Sequence, residues 1–426
     1  MLKYIGILLT GIVTSCYFFP FFFKAFPVQN TKNMMAAVGM VLICMQLTKV
    51  RDILITKEWI HIFVYAGIVS LVGLISITVN STPDYTYAFY IRIMILWLCA
   101  AYCVLSMIKM VHGKLSVPLL ANYLIAVCVL QCIMALWIDN DISVKMFVDA
   151  HVEQGQSFLN DVNRIYGIGA NLDVAGSRFA AVMVIIAVLL TSKNSWRSKY
   201  APCYTVAFFI ISIVGNMVAR TTTVGMGIAV VYLLFASFTG DIDRRWWKWL
   251  IGFFLLALSI TACLYNKNAD ARKLILFAFE GFFSLAEKGE WYVSSNERLL
   301  KVMVVFPNDI KTWLIGDGYF NNPISIDPYF TGKITGGYYM GTDIGYCRFI
   351  FYFGLVGLSV FMTYFIEVTR ICSKFYEKYK SMFWLLLITN FIIWLKVSTD
   401  IFLVFALFLM MDMLKGCQTS DNTVPK

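Results

Sequence analysis

The apolar residues of this chain come in unbroken runs about as long as a bilayer is thick, without amphipathic interruption. From the start they cover roughly 5–23, 34–48, 60–78, 88–108 and 118–138. After a polar break they resume near 174–190, 201–217, 222–239 and 248–265, and after a longer one near 344–368, 382–395 and 399–414. About twenty residues rising 1.5 Å each carry a helix across the hydrocarbon core. The pattern predicts an all-α polytopic membrane protein of about twelve transmembrane helices, a single integral membrane domain over 1–426. The first run has no small-residue cleavage site, so it is expected to stay as a helix rather than leave as a signal peptide.

Charge orients these runs. Every second loop is basic: Lys49, Arg51 and Lys57; Lys109 and Lys114; Lys193, Arg197 and Lys199; Arg244, Arg245 and Lys248; Arg370, Lys374, Lys378 and Lys380. The alternate loops are poor in cations or balanced, and Asn80–Tyr87 has no Lys or Arg. Under the positive-inside rule both termini are expected in the cytoplasm. Two outward segments are long. The first, 139–169, is acidic, with Asp139, Asp141, Asp149, Glu153 and Asp161. The second, 265–343, lies between the ninth and tenth helices and mixes charges with aromatics and glycines. Segments of this length are commonly lids or binding elements; passive connection is the plainer alternative.

Composition narrows the class. The chain is 60% hydrophobic and 14% charged, against roughly 25% charged in soluble proteins, which excludes a water-soluble domain. The net charge of +10 is mostly the topology signal, and no clustered basic surface with aromatics is present, so no nucleic-acid partner is expected. The eleven cysteines form no CxxC pair; Cys99/Cys103 and Cys128/Cys132 share helix faces and behave as small buried hydrophobes. His61, His112 and His151 are dispersed, so neither a metal site nor a cofactor is expected. His151, the one placed outside, reads as a loop histidine. There is no internal repeat, which weakens a transporter reading.

Four arginines, Arg92, Arg178, Arg220 and Arg348, stand at the edges of apolar runs on the predicted outer side. Cations are scarce there, and a guanidinium at a membrane edge usually faces a polar cavity. Its planar fork suits a phosphate. Asn171-Leu-Asp-Val-Ala-Gly-Ser-Arg178 enters the sixth helix, where Asn171 or Asp173 can cap it and Gly176 permits close packing. Ala219-Arg-Thr-Thr-Thr-Val-Gly225 turns between helices seven and eight, with threonines able to cap the latter. Ser294 to Arg298 starts a short helix that Pro307 stops, followed by a glycine turn around Asp317. Asp343, Tyr346 and Arg348 gather at the mouth of helix ten, as a salt bridge or as catalytic groups.

Together these motifs resemble the O-antigen ligase/polymerase superfamily of polytopic glycosyltransferases. The resemblance rests on GSR at Gly176–Arg178, ARTTTVG at Ala219–Gly225, NER and LIGDGY at Asn296–Tyr319, and DIGYCR with FGLVG at Asp343–Gly357. The last pair looks most like repeat-unit polymerases of the Wzy type, which build O-antigen or capsule. The long outer segment has no histidine between Tyr265 and Asp343, whereas the ligase branch typically carries one there. The resemblance implies a GT-C-like, metal-independent glycosyltransferase of the bacterial inner membrane, among membrane lipid. Its partners would be undecaprenyl-diphosphate-linked oligosaccharide donor and acceptor, with a chain-length regulator. Arg178 and Arg220 would clamp the diphosphate, with Arg92 and Tyr346 beside them. Asp343, Arg348 and Asp317 would be catalytic. An O-antigen ligase and a lipid-linked oligosaccharide flippase are the alternatives, in that order.

Overall fold

The computed structural model describes residues 2–49, 56–161, 164–192, 195–239, 244–323 and 337–421. Each predicted apolar run coincides with a helix. Among the described residues, six helices are long and apolar enough to cross a membrane: α3 (Lys57–Asn80), α4 (Tyr90–His112), α5 (Val117–Asn140), α8 (Leu172–Thr191), α9 (Ser195–Val218) and α16 (Gly345–Phe375). Shorter apolar stretches lie in α1 (Leu2–Phe18), α10 (Thr222–Phe238), α11 (Arg244–Lys267) and α18 (Phe402–Asp421). The remaining runs are α2 (Thr31–Lys49) and α17 (Lys380–Ile393). The protein is a mostly helical, multi-pass membrane protein. Arg51, Lys193 and 324–336 of the second long segment lie outside the described residues.

Both long segments carry short helices among their described residues. The first holds α6 (Ile142–His151) and α7 (Gln156–Asp161). The second holds α12 (Ala269–Ala278), α13 (Glu280–Lys288), α14 (Ser294–Arg298) and α15 (Ile310–Ile315), with α14 running on as a π turn through Met303. The short helix expected before Pro307 is therefore present, and ends four residues before the proline.

The chain divides into two compact units. In the first (1–49, 98–291 and 406–426) α8 is the centre, buried from Ala175 through Thr191. α5, α9 and α10 pack around it. The crossing of α8 and α10 is close enough to exclude a side chain: a Cβ on Gly225 would stand 2.2 Å from the Ala180 Cα. Small residues are what let two helix backbones approach this far. Cys128 and Cys132 are fully buried on α5, as small hydrophobes.

Besides its helices the first unit carries a few residues of strand. In a small antiparallel sheet, β1 (Phe22–Phe23) lies between β2 (Phe26–Asn30) and β3 (Val152–Glu153). α1 ends at Phe18 rather than near 23 because Pro20 can neither donate to the helix ladder nor fit the preceding turn. Pro27 then sits in β2, an edge strand, where its missing N–H is harmless. Phe21, Ile138, Val148, Val152, Leu159 and Tyr166 form one apolar cluster beneath the sheet. Two acidic residues of this segment hold its fold: Asp141 caps α6 through the Ser143 and Val144 amides, and Asp149 accepts from the Tyr166 hydroxyl at 2.8 Å.

In the second unit (50–97 and 292–405) α3, α15 and α17 pack on α16. α16 is broken at Phe353–Gly354, where Gly354 has φ 69°. A broken helix frees carbonyls that must find other donors. The Asp317 amide reaches the Phe351 carbonyl at 2.6 Å and the Gly318 amide the Tyr352 carbonyl at 3.1 Å. Ser76 Oγ donates to the Tyr352 carbonyl as well, at 2.6 Å. The predicted glycine turn thus exists, and its work is to satisfy the break in α16.

Gly225→Val should force α8 and α10 apart. Overpacking a tight core costs typically 1–3 kcal/mol, and backbone atoms cannot yield as a side chain would. We expect lower yield and a lower Tm of purified protein in detergent. Gly227→Ala, with open space around it, should leave both unchanged or slightly raised.

Candidate functional site

The two arginine motifs of the first unit fold onto each other. Gly176 lies so close to Ala219 and Thr221 that a Cβ there would meet theirs at 2.9 and 2.8 Å. The threonines were expected to cap α10, but none supplies a cap bond at its N-terminus. They tie the turn to its surroundings instead. Thr221 Oγ1 donates to Asp173 on α8, Thr222 Oγ1 to the Gly215 carbonyl at 3.0 Å, and Thr223 Oγ1 to Asn216 Oδ1 at 2.6 Å. Asn171 does not cap α8 through its side chain either; its amide donates to the Gln154 carbonyl at 3.1 Å.

This fastening fixes Arg220. Its Nε donates to the Phe277 carbonyl at 2.9 Å, Nη2 pairs with Glu280 Oε2 at 2.7 Å, and its guanidinium lies 3.9 Å from the Phe277 ring centroid. A second guanidinium, that of Arg164, lies 3.6 Å from the centroid of the same ring. A cation over an aromatic face is held by the ring quadrupole, and here one ring gathers two cations. Burial, and then the charge of Arg220, pull Arg164 down to about 10, with Asp173 and Glu280 opposing. A place where one cation lowers the pKa of another is a place that favours an added anion.

Arg178 sits elsewhere in the same unit. It is buried in α8 at 5% exposure, with its guanidinium 5.6 Å from the Phe19 ring centroid. Sequence reasoning missed Arg164, Phe277 and Glu280. Arg164 lies in the polar segment ahead of α8 rather than at the edge of an apolar run. Phe277 and Glu280 belong to the aromatic-rich second segment, where nothing local marks them out.

The other candidates belong to the second unit. Arg348 is 4% exposed and held between Phe320 and Tyr338, at 3.5 and 3.7 Å. Its Nη2 donates to the Phe320 carbonyl and to Asn321 Oδ1, and Nη1 donates to Ser398 Oγ at 2.5 Å. These contacts tie the start of α16 to the segment after the glycine turn and to the α17–α18 connection. Tyr346 donates to the Phe391 carbonyl at 3.0 Å and packs on Trp394. Asp317 accepts from Thr312 Oγ1 at 2.6 Å, Lys311 Nζ at 3.1 Å and Tyr339 OH at 3.2 Å. Burial and this carboxylate hold the Tyr339 phenol well above its ordinary range, so it stays a donor. Asp343 is half-buried just before α16, and Arg92 is exposed on α4. Asp84, also missed, accepts from the Phe320 and Asn321 amides at 2.8 and 3.0 Å.

Among the described residues no three His, Cys, Asp or Glu side chains come together as a metal-ligand set. Comparison with protein-family models, curated proteins and solved structures finds no match.

Arg348→Lys should behave as a stability variant. An ammonium cannot reproduce the fork to three oxygens or the stacking between two rings, and hydrogen bonds from a charged group are worth about 1.5–3 kcal/mol each. We expect a loss of about 2 kcal/mol or more, read as a lower Tm in detergent and lower membrane abundance. Arg220→Lys, at a partly exposed site, should change either far less.

Proposed function

We propose that this chain is a polysaccharide repeat-unit polymerase on the outer face of the bacterial inner membrane, with both termini in the cytoplasm. It would transfer a glycan from an undecaprenyl-diphosphate carrier to the end of another lipid-linked repeat unit. The motif resemblance supplies the reaction class. The observation that carries the site is the Arg164–Arg220 pair about Phe277, reached where the two arginine motifs interlock.

In this reading Arg220 and Arg164 hold the diphosphate, whose charge grows as the glycosidic bond to it breaks. Cations fixed in place before the reaction stabilise that charge without reorganising. The three threonines of the turn keep Arg220 from following the ligand. Glu280, now paired with Arg220, is a carboxylate where a phosphate oxygen would bind. Arg178, buried below the motif, contributes fixed positive charge on α8. Asp317 already holds Lys311, Thr312 and Tyr339 and is a turn-forming residue here.

Cells lacking the gene should lose the polymer yet keep lipid carrying a single repeat unit. Loss of all surface repeat units would instead favour a flippase, and intact but unattached polymer a ligase. Arg220→Lys and Arg164→Lys should shorten the polymer ladder nearly as much as Ala at each site, with a rate loss of about a hundredfold, or 2–4 kcal/mol, at normal protein level. Lys variants with wild-type ladders would remove the clamp.

Glu280→Gln should lower the apparent KM for lipid-linked donor several-fold, because the substrate no longer displaces a carboxylate. An unchanged KM with a reduced Tm would make the pair purely structural.

A further inference from the structure

The second unit carries its own measure of the bilayer. α3 and α16 run antiparallel, joined at one end by Lys374 Nζ and Glu58 Oε1 at 2.6 Å and near the other by Ser76 Oγ and the Tyr352 carbonyl. From Trp59 to Val79 α3 has no Asp, Glu, Lys or Arg, a stretch of about 31 Å at the helical rise. That length matches the hydrocarbon core, about 30 Å thick, so Asn80 stands at its edge.

α15 is fastened at this edge. Asn80 donates to the Gly316 carbonyl at 3.0 Å and accepts from Lys311 Nζ at 2.6 Å. The Leu314 carbonyl lies so close to α16 that a Cβ on Gly354 would meet it at 2.2 Å. Compared with a water-facing helix, α15 is turned inside out. Thr312, 2% exposed, points inward to Asp309 and Asp317, while Ile310 and Leu314 are 77% and 48% exposed. A helix on the surface of a water-soluble protein buries its apolar face instead. Ahead of α15, Val302, Val304 and Phe306 are exposed as well, and Phe306 stacks on Trp313 at 5.7 Å. Directly past Gly354, Leu355 and Val356 are exposed on α16. The outward face of α15 therefore adjoins the apolar surface of a helix of spanning length.

We propose that the segment from Val302 to Leu314 is seated in the bilayer interface at this end of α3. Phe306, Ile310 and Leu314 lie among the acyl chains, and Trp313 lies at the headgroups, where indole rings concentrate. Lys311 keeps its ammonium on Asn80 and Asp317 at the same level, as a long cationic side chain at a membrane edge does. The occupant of this face is surrounding phospholipid, because the face stands at the depth where α3 leaves the hydrocarbon. The seating fixes the turn at Gly316–Gly318, and with it the closure of the α16 break, at headgroup depth. The orientation proposed above makes this the outer leaflet; the seating itself rests on the second unit alone.

The test is photocrosslinking of the full-length protein in native membranes. The photoreactive residue p-benzoylphenylalanine is placed at Ile310, at Leu314 or, as a reference within the span, at Leu71, exposed midway along α3. After irradiation the protein is purified and its mass is read. Ile310 and Leu314 should take up phospholipid to within about threefold of Leu71. A protein adduct at Ile310 and Leu314 would overturn the proposal by giving the face to a protein partner. Phospholipid at Leu71 with no adduct at Ile310 and Leu314 would overturn it by giving the face to water. Polymer made by the same cells separates this from the proposed function. Phospholipid adducts without polymer would uphold the seating and sink the polymerase reading, and polymer without such adducts would do the reverse.

Discussion

The first unit is organised by the cost of placing two guanidiniums beside one half-buried ring. Arg164 and Arg220 share Phe277, and their mutual repulsion persists only because the surrounding structure prevents either from leaving. Thr221, Thr222 and Thr223 fasten the turn that carries Arg220. That fastening depends in turn on helices close enough to exclude a Cβ at Gly176 and Gly225. The central helix α8, buried along nearly its whole length, is the surface against which all of this is built. Helix packing, turn chemistry and charge placement are therefore one arrangement.

The second unit meets a different constraint. Breaking α16 at Gly354 exposes backbone carbonyls in an apolar interior, where an unsatisfied polar group costs several kcal/mol. The turn at Gly316–Gly318 supplies their donors, and Asp317 holds that turn in shape through Lys311, Thr312 and Tyr339. Arg348 then binds the segment that follows to α16. Asp317, which stands out in the sequence as a carboxylate in a glycine turn, holds the turn that closes this helix break.

Helix positions were legible because hydrocarbon thickness imposes a run length that little else requires; each of the apolar runs is a helix, within a few residues. The stop at Phe18 was missed because Pro20 lies inside an otherwise apolar run and composition masks it. Gly176 was rightly read as a point of close packing, since a small residue in a spanning helix has few other uses. The threonines were misread as caps because capping is a local rule, whereas their partners Asp173, Gly215 and Asn216 are brought near by packing. Arg164, Phe277 and Glu280 were invisible for the same reason: they lie in different parts of the chain and meet only in the folded unit.

The most direct test of the proposed chemistry is reconstitution. Purified protein in liposomes, given a lipid-diphosphate-linked repeat unit of defined structure, is assayed for glycan length and for release of free lipid diphosphate. The account predicts glycans that lengthen by whole repeat units, with one lipid diphosphate released per unit added. Movement of the intact substrate across the bilayer, with no lengthening and no release, would contradict it.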